Sequence, residues 1–168
     1  MKKVGILMGS QSDLETMKKA ARALETFGVA YEMAIASAHR TPQRVLEWAQ
    51  GAEQRGLEVL IAGAGMAAHL AGVVASQTVL PVIGVPCSGS ALQGVDALYS
   101  TVNMPPGTPV ATVAVDGAFN AGLLAVQILA VKDAGLRDQL KAYKRQMAEQ
   151  VLEQSRALEK EIESKSKA

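Results

Sequence analysis

Short apolar runs alternate along this chain with segments whose apolar residues recur at every third or fourth position. The apolar runs predict strands at residues 4–8, 31–36, 59–62, 81–85 and 110–115. The segments between and after them predict helices at residues 14–27, 42–55, 67–77, 91–100 and 119–131. Because nearly continuous apolar strands are buried on both faces, this alternation predicts a doubly wound parallel sheet between two layers of helices, a three-layer αβα domain.

The last part of the chain has a different pattern. About half of the charged side chains lie in residues 131–168, and a single apolar stripe runs between them. The stripe consists of Leu136, Leu140, Tyr143, Met147, Val151, Leu158 and Ile162. We therefore divide the chain into an α/β domain, residues 1–132, and a long C-terminal helical extension, residues 133–168. The stripe can pack on its own domain, but the length of the helix and the few charges of the body favour docking on a neighbouring subunit.

The composition excludes several classes of protein. No apolar run approaches the roughly 18 residues of a membrane span, and the apolar segment after the first lysines is too short for a signal peptide, so we expect a cytoplasmic protein. A net charge of +1 with 4% aromatic residues offers neither a phosphate-tracking nor a base-stacking surface, which argues against nucleic acid as a partner. One cysteine excludes an internal disulfide and a cysteine-rich zinc site.

Both histidines of the chain follow predicted strands. His39 lies in the segment Ser37-Ala38-His39-Arg40-Thr41-Pro42, where Pro42 suits the first turn of a helix. His69 lies in the small-residue segment after the strand at 59–62. Ligands of open α/β sheets bind at the carboxyl ends of the strands. A histidine there can move a proton near neutral pH, and the adjacent Arg40 can hold an anion.

The turn after the first strand also carries polar groups. It reads Gly9-Ser10-Gln11-Ser12-Asp13 and leads into the helix predicted at 14–27. Free backbone N–H groups, the helix dipole and two serine hydroxyls make such a turn an anion-binding site. Asp13 can either cap the helix or accept a hydrogen bond from a ribose hydroxyl, and the pattern does not choose between these roles.

The sequence offers only weak evidence for dinucleotide binding, a reactive cysteine, a metal site or hydrolase chemistry. Residues 63–68 match the G-x-G-x-x-A dinucleotide pattern, but no acidic residue stands about 20 positions further on. Cys87 follows the fourth strand and is interpreted as a buried, inert thiol. Two histidines thirty positions apart are weak evidence for a metal site, and no hydrolase elbow, H-E-x-x-H or Walker A motif occurs. We therefore predict chemistry without a metal or a cofactor.

Several motifs in a fixed order resemble one family. They are Met8-Gly9-Ser10-x-Ser12-Asp13, Ser37-Ala38-His39-Arg40-Thr41-Pro42, Ala62-Gly63-Ala64-Gly65-x-Ala67-Ala68-His69-Leu70, Pro81-Val82-Ile83-Gly84-Val85-Pro86 and Asp96-Ala97-Leu98-Tyr99-Ser100. The chain resembles, over residues 3 to about 132, the class I N5-carboxyaminoimidazole ribonucleotide mutases (PurE) of bacterial purine synthesis. The resemblance implies a flavodoxin-like domain that binds a mononucleotide, a homo-octamer with active sites between subunits, and a metal-free isomerisation. In that reaction the carboxylate leaves the exocyclic nitrogen as CO2 and is recaptured by carbon 4 of the imidazole.

The resemblance also implies a role for individual residues. His39 is the general acid and base, Ser10, Ser12 and Arg40 hold the 5′-phosphate, and Asp13 holds the ribose. The base and carboxylate are bound by Ser37, Ala38, Gly65, Ala67, Ala68, His69 and Leu70, with His69 shaping the CO2 pocket. The chain departs from the usual family pattern at Met66, Ala71 and Asn103, where members commonly carry Gly, Pro and Gln.

Three other functions stay open at this point. Class II aminoimidazole ribonucleotide carboxylases take CO2 directly, but they carry Ser-Ala-His-Lys and lack the second histidine, so Arg40 and His69 argue against this class. Nickel-pincer cofactor synthases share a related core and use a cysteine nucleophile, for which Cys87 alone is weak support. A non-catalytic mononucleotide-binding module would leave His39 without a role.

Overall fold

A computed structural model describes residues 3–166 and shows the predicted α/β alternation. The strands are β1 (Val4–Met8), β2 (Tyr31–Ile35), β3 (Val59–Gly65), β4 (Val82–Cys87) and β5 (Ala111–Thr112). The helices are α1 (Leu14–Thr26, after a 3₁₀ turn at Gln11–Asp13), α2 (Pro42–Gln50), α3 (Leu70–Ala75), α4 (Val95–Val102), α5 (Ala118–Ala130) and α6 (Ala134–Ser166). The strands pair in parallel in the order β2-β1-β3-β4-β5. This is the flavodoxin-like order, and the predicted fold class is confirmed.

Alternate residues of each strand face opposite helix layers. On β3, Leu60 and Ala62 belong to the buried cluster formed with α2 and α3. Gly63 faces the other layer, where a Cβ atom would lie 2.2 Å from the sulfur of Met17 on α1. A side chain at position 63 would therefore displace the buried side chain of Met17. This two-sided burial explains why the strands read as continuous apolar runs.

Several elements differ in length from the sequence prediction. Helix α2 ends at Gln50 rather than at 55, because Gly51 begins a turn, and α4 spans Val95–Val102 rather than 91–100, since the left-handed Gly94 (φ +88°) precedes it. Strand β5 comprises only Ala111–Thr112 rather than 110–115, and a turn that contains the left-handed Asp116 (φ +56°) lies between it and α5. Helix α3 begins at Leu70 rather than at 67, since Met66 is also left-handed (φ +54°) and the N–H of His69 bonds to the carbonyl of Ala67 in a turn. Strand β3 accordingly continues to Gly65.

The division between two compact units falls between Leu129 and Ala130. The second unit consists mostly of α6, whose first turn is fixed by the carboxylate of Asp133, which accepts from the backbone N–H of Leu136 at 3.0 Å. Arg137 donates to the carbonyls of Ala130 and Val131. The sequence placed the boundary at 132/133, and residues 167 and 168 of that predicted extension lie outside the described residues. Within residues 3–166, no helix is both long and apolar enough to cross a membrane.

Candidate active site

A cavity of about 550 Å³ opens where the strand order reverses, at the carboxyl ends of β1 and β3. The chain leaves β1 toward α1 on one face of the sheet and leaves β3 toward α3 on the other. The two loops therefore separate and create a crevice, the usual ligand position in folds of this kind. Loops after β2 and β4 complete the walls.

The structure brings nearly all of the sequence-predicted site residues to this cavity. The predicted residues that line it are Ser10, Ser12, Asp13, Ser37, Ala38, His39, Arg40, Gly65, Ala67, His69 and Leu70. Ala68 is the exception, because it is buried and does not form part of the wall. Gly9 of the predicted anion-binding turn and Met66 also line the cavity, whereas Ala64, Ser88 and Gly89 line it without having been predicted as site residues. The rule that ligands bind at strand ends, applied to β4, would have pointed to Ser88 and Gly89.

The loop after β1 presents hydroxyl and backbone donors. The N–H of Gly9 is taken by the carbonyl of Gly63, which continues the pairing with β3 and fixes where the loop leaves the sheet. The hydroxyl of Ser10 accepts from the N–H of Ser12 at 3.3 Å and caps the 3₁₀ turn. The loop thus points toward the cavity at the amino end of α1, where an anion is favoured.

Arg40 connects the loops after β1 and β2. Its guanidinium donates to the carbonyl of Gly9 at 3.1 Å, and its backbone N–H donates to the hydroxyl of Ser37 at 3.2 Å. The turn that carries it is closed by Thr41, whose hydroxyl accepts from the N–H of Ser37 at 2.9 Å. An exposed guanidinium next to the serines of the β1 loop forms a cationic end of the cavity.

We predict that Arg40→Lys weakens nucleotide binding by about tenfold. Lysine keeps the charge but loses the planar fork that can hold two phosphate oxygens at once. Calorimetric titration with the nucleotide and with its dephosphorylated nucleoside measures the effect. The loss is expected for the nucleotide alone. An equal loss for both compounds would show that Arg40 does not bind the phosphate.

The two histidines form a hydrogen-bonded pair across the end of β1. Nε2 of His39 lies 2.7 Å from Nδ1 of His69, and the rings meet edge to face at 80°. One of these two nitrogens carries the proton and the other accepts it, so the second nitrogen of each ring takes the complementary state. Both rings line the cavity and both are exposed in the chain. The pair can therefore exchange protons with a ligand and within itself.

Asp13 contributes a carboxyl group to the wall of the cavity. It stands at the N-cap position of α1, but its side chain makes no capping hydrogen bond. Burial raises the pKa of this carboxyl, while hydrogen bonds from Ser10 and Ser12 and the charge of Arg40 act in the opposite direction. A carboxylate that is buried, lines the cavity and does not cap the helix is suited to accept from a ligand hydroxyl.

Cys87 lies close to the site, but its thiol is unreactive. It is the last residue of β4 and is buried. Burial, reinforced by the carboxylates of Asp13 and Asp116, raises the pKa of its thiol to about 12. The nucleophilic thiolate is therefore scarce at neutral pH, which argues against a cysteine-dependent reaction.

The donor groups of the site do not form a metal centre. Within residues 3–166, no group of three or more histidine, cysteine, aspartate or glutamate side chains is arranged to hold a metal ion. The polar groups of the cavity instead suit an organic anion that carries hydroxyl groups.

Comparison with known proteins identifies the family. The family model described as AIR carboxylase matches residues 3–150. The N5-carboxyaminoimidazole ribonucleotide mutase of Pyrococcus horikoshii is 58% identical over 156 residues, which cover 93% of this chain and 88% of that protein. The mutase of Thermotoga maritima is 57% identical over 159 residues, covering 95% of this chain and 93% of that protein. The crystal structure of Treponema denticola PurE superimposes with a TM-score of 0.81 at 33% identity, covering 91% of this chain and 96% of that one.

These matches agree with the motif resemblance and extend it from the sequence to the fold. The family model also runs beyond the α/β body into the first part of α6. The chain belongs to the AIR carboxylase family.

Proposed function

We propose that this protein is an N5-carboxyaminoimidazole ribonucleotide mutase. It is an isomerase that converts N5-carboxyaminoimidazole ribonucleotide to 4-carboxyaminoimidazole ribonucleotide in purine biosynthesis, without a cofactor. Relatives at 57% and 58% identity carry this name. The observation that carries the proposal is the pair of hydrogen-bonded imidazoles in the same cavity as an exposed guanidinium. The first can move protons on a heterocycle, and the second can hold a phosphate.

The phosphate, the ribose and the base of the nucleotide bind to different parts of the cavity. Arg40 and the hydroxyls of Ser10 and Ser12 bind the 5′-phosphate, since they form the cationic end. Asp13 accepts from the ribose. The base and its carboxylate lie against Ser37, Ala38 and the segment 65–70, where the small side chains allow close approach to the backbone.

Catalysis needs one proton to move twice. The bond between the exocyclic nitrogen and the carboxylate breaks, the nitrogen takes a proton from His39, and CO2 is released within the cavity. Carbon 4 of the imidazole then attacks CO2 and forms the new carbon–carbon bond. His39, now neutral, removes the proton from carbon 4 and is ready for the next cycle. His69 supports the ring of His39 through their hydrogen bond and borders the space for CO2.

We also propose that the protein acts as a homo-oligomer in the cytoplasm. Exposed apolar side chains recur at helical spacing in and before α4, and they require a partner in water. They are Leu92, Val95, Tyr99 and Val102. The apolar stripe of α6 is the second such surface, exposed from Met147 to Ile162, and we propose that it docks on a neighbouring subunit. The family resemblance implies eight subunits. A charged nucleotide substrate does not cross membranes unaided, which supports a cytoplasmic location.

Incubation of the purified protein with two nucleotides tests the reaction. The protein is supplied with N5-carboxyaminoimidazole ribonucleotide or with aminoimidazole ribonucleotide, each with and without bicarbonate. The mutase is expected to form the 4-carboxy product from the first compound without added bicarbonate. If product forms from aminoimidazole ribonucleotide in the presence of bicarbonate, and none forms from N5-carboxyaminoimidazole ribonucleotide, the protein is a class II carboxylase. Binding without any product would identify a nucleotide-binding module.

A further inference from the structure

The wall of the cavity that follows β4 is held by a residue far along the chain. Ser88 lines the cavity, and both of its donors bind the carboxylate of Asp116. The backbone N–H of Ser88 lies 2.9 Å from Oδ1, and its hydroxyl lies 2.5 Å from Oδ2. One aspartate thus fixes both the backbone and the side-chain rotamer of this cavity residue.

Asp116 is itself fixed in an uncommon conformation. Its φ of +56° lies in the left-handed region, which aspartate tolerates better than most residues. Its own N–H bonds to the carbonyl of Pro86 at 2.9 Å, so Asp116 holds β4 on both sides of Cys87. A strained backbone position persists where the surrounding contacts over-determine it, and such positions gather at ligand sites.

This arrangement sets the polarity of the Ser88 hydroxyl. A serine has one hydroxyl proton, and here that proton is donated to Asp116. The remaining lone pairs of Oγ can only accept. The carboxylate behind the hydroxyl strengthens it as an acceptor and repels anions from this wall. The opposite polarity prevails near Arg40, where an anion is favoured.

We propose that Ser88, oriented by Asp116, binds a hydrogen-bond-donating group of the ligand, and that it thereby sets the direction in which the nucleotide enters the cavity. The phosphate is directed to Arg40, and a ribose hydroxyl or the exocyclic amine is directed to Ser88. Ser88 contacts the ligand, and Asp116 is a positioning residue. The identity of the nucleotide rests on the proposed function, but the polarity argument holds for any phosphorylated ligand with hydroxyl or amino donors.

The variant Asp116→Asn tests this polarity at nearly constant shape. Asparagine also tolerates the left-handed conformation, but its amide N–H2 can donate to Ser88 and turn the hydroxyl proton toward the ligand. Affinities are measured by calorimetry for inorganic phosphate, ribose 5-phosphate and aminoimidazole ribonucleotide. We expect a loss of about tenfold for a ligand that donates to Ser88 and no change for inorganic phosphate. A loss for both organic ligands identifies a ribose hydroxyl, and a loss for the nucleotide alone identifies the amine.

Two further variants keep the test decisive. Ser88→Ala removes the acceptor and leaves the backbone bond to Asp116, so it should reproduce the loss even if Asp116→Asn folds poorly. Asp96→Asn is the matched control, because Asp96 accepts from the hydroxyl of Ser90 at 2.9 Å and neither residue lines the cavity. Unchanged affinities in Ser88→Ala, or an equal loss for inorganic phosphate, would overturn the proposal. All of these measurements are of binding and none requires turnover. A protein that fails the mutase assay can therefore still confirm or contradict the role of Ser88.

Discussion

His39→Asn should lower turnover by about 10²–10⁴-fold and leave the fold and nucleotide affinity close to those of the parent protein. Asparagine is shorter than histidine and its amide does not extend to the position of Nε2, so the variant also loses the 2.7 Å hydrogen bond to His69. It cannot take up and release a proton near neutral pH, and the proposed reaction requires both steps. Steady-state kinetics gives the turnover, and calorimetric titration gives the affinity.

His69→Gln is the control for the histidine pair. The amide of glutamine extends to the position of Nε2 rather than of Nδ1, so this variant also loses the hydrogen bond between positions 39 and 69, but it keeps His39 as the proton carrier. We expect a smaller loss of turnover than in His39→Asn. Turnover near that of the parent protein in His39→Asn would contradict the assigned role, and a larger loss in His69→Gln would transfer the acid–base role to His69.

Replacing two apolar residues of α6 should dissociate the proposed oligomer. Val151 and Leu158 are 64% and 57% exposed, and they lie on the same stripe of a 33-residue helix. Burying such a side chain against a neighbour stabilises the assembly by about 1.5–3 kcal/mol, and a symmetric oligomer repeats this contribution in every copy. The double variant Val151→Gln with Leu158→Gln places a good helix former at both positions and removes the apolar contact. Light scattering should report a smaller particle.

A matched double variant on the opposite face of α6 separates docking from helix stability. Glu149→Gln with Arg156→Gln introduces the same residue type twice and leaves the stripe intact. Its mass should equal that of the parent protein. An oligomer of unchanged mass in the Val151 and Leu158 variant would show that the stripe does not hold subunits together. Activity should fall together with the mass if the sites lie between subunits, although no cavity residue is changed.

The hydrophobic pattern was sufficient to predict most of the fold, because strands that are buried on both faces consist almost entirely of apolar residues. Strand β1 was predicted with its exact bounds, and the helix after it followed from apolar residues at helical spacing. The shortened β5 could not be predicted in this way. Its pairing with β4 ends at Thr112, and the left-handed Asp116 in the turn that follows is stabilised by bonds to the distant residues Pro86 and Ser88.

The candidate site, too, was determined partly by the sequence and partly by the tertiary structure. The sequence by itself determined that His39, Arg40 and His69 follow strands, since local pattern and turn residues specify where strands end. That the two histidines touch was decided by the tertiary structure, because β1 lies between β2 and β3 and their loops meet above its end. The polarity of Ser88 likewise depends on Asp116, 28 residues away. Local sequence favours individual strands, helices and turns, whereas contacts between distant loops arise only when the sheet assembles in one strand order.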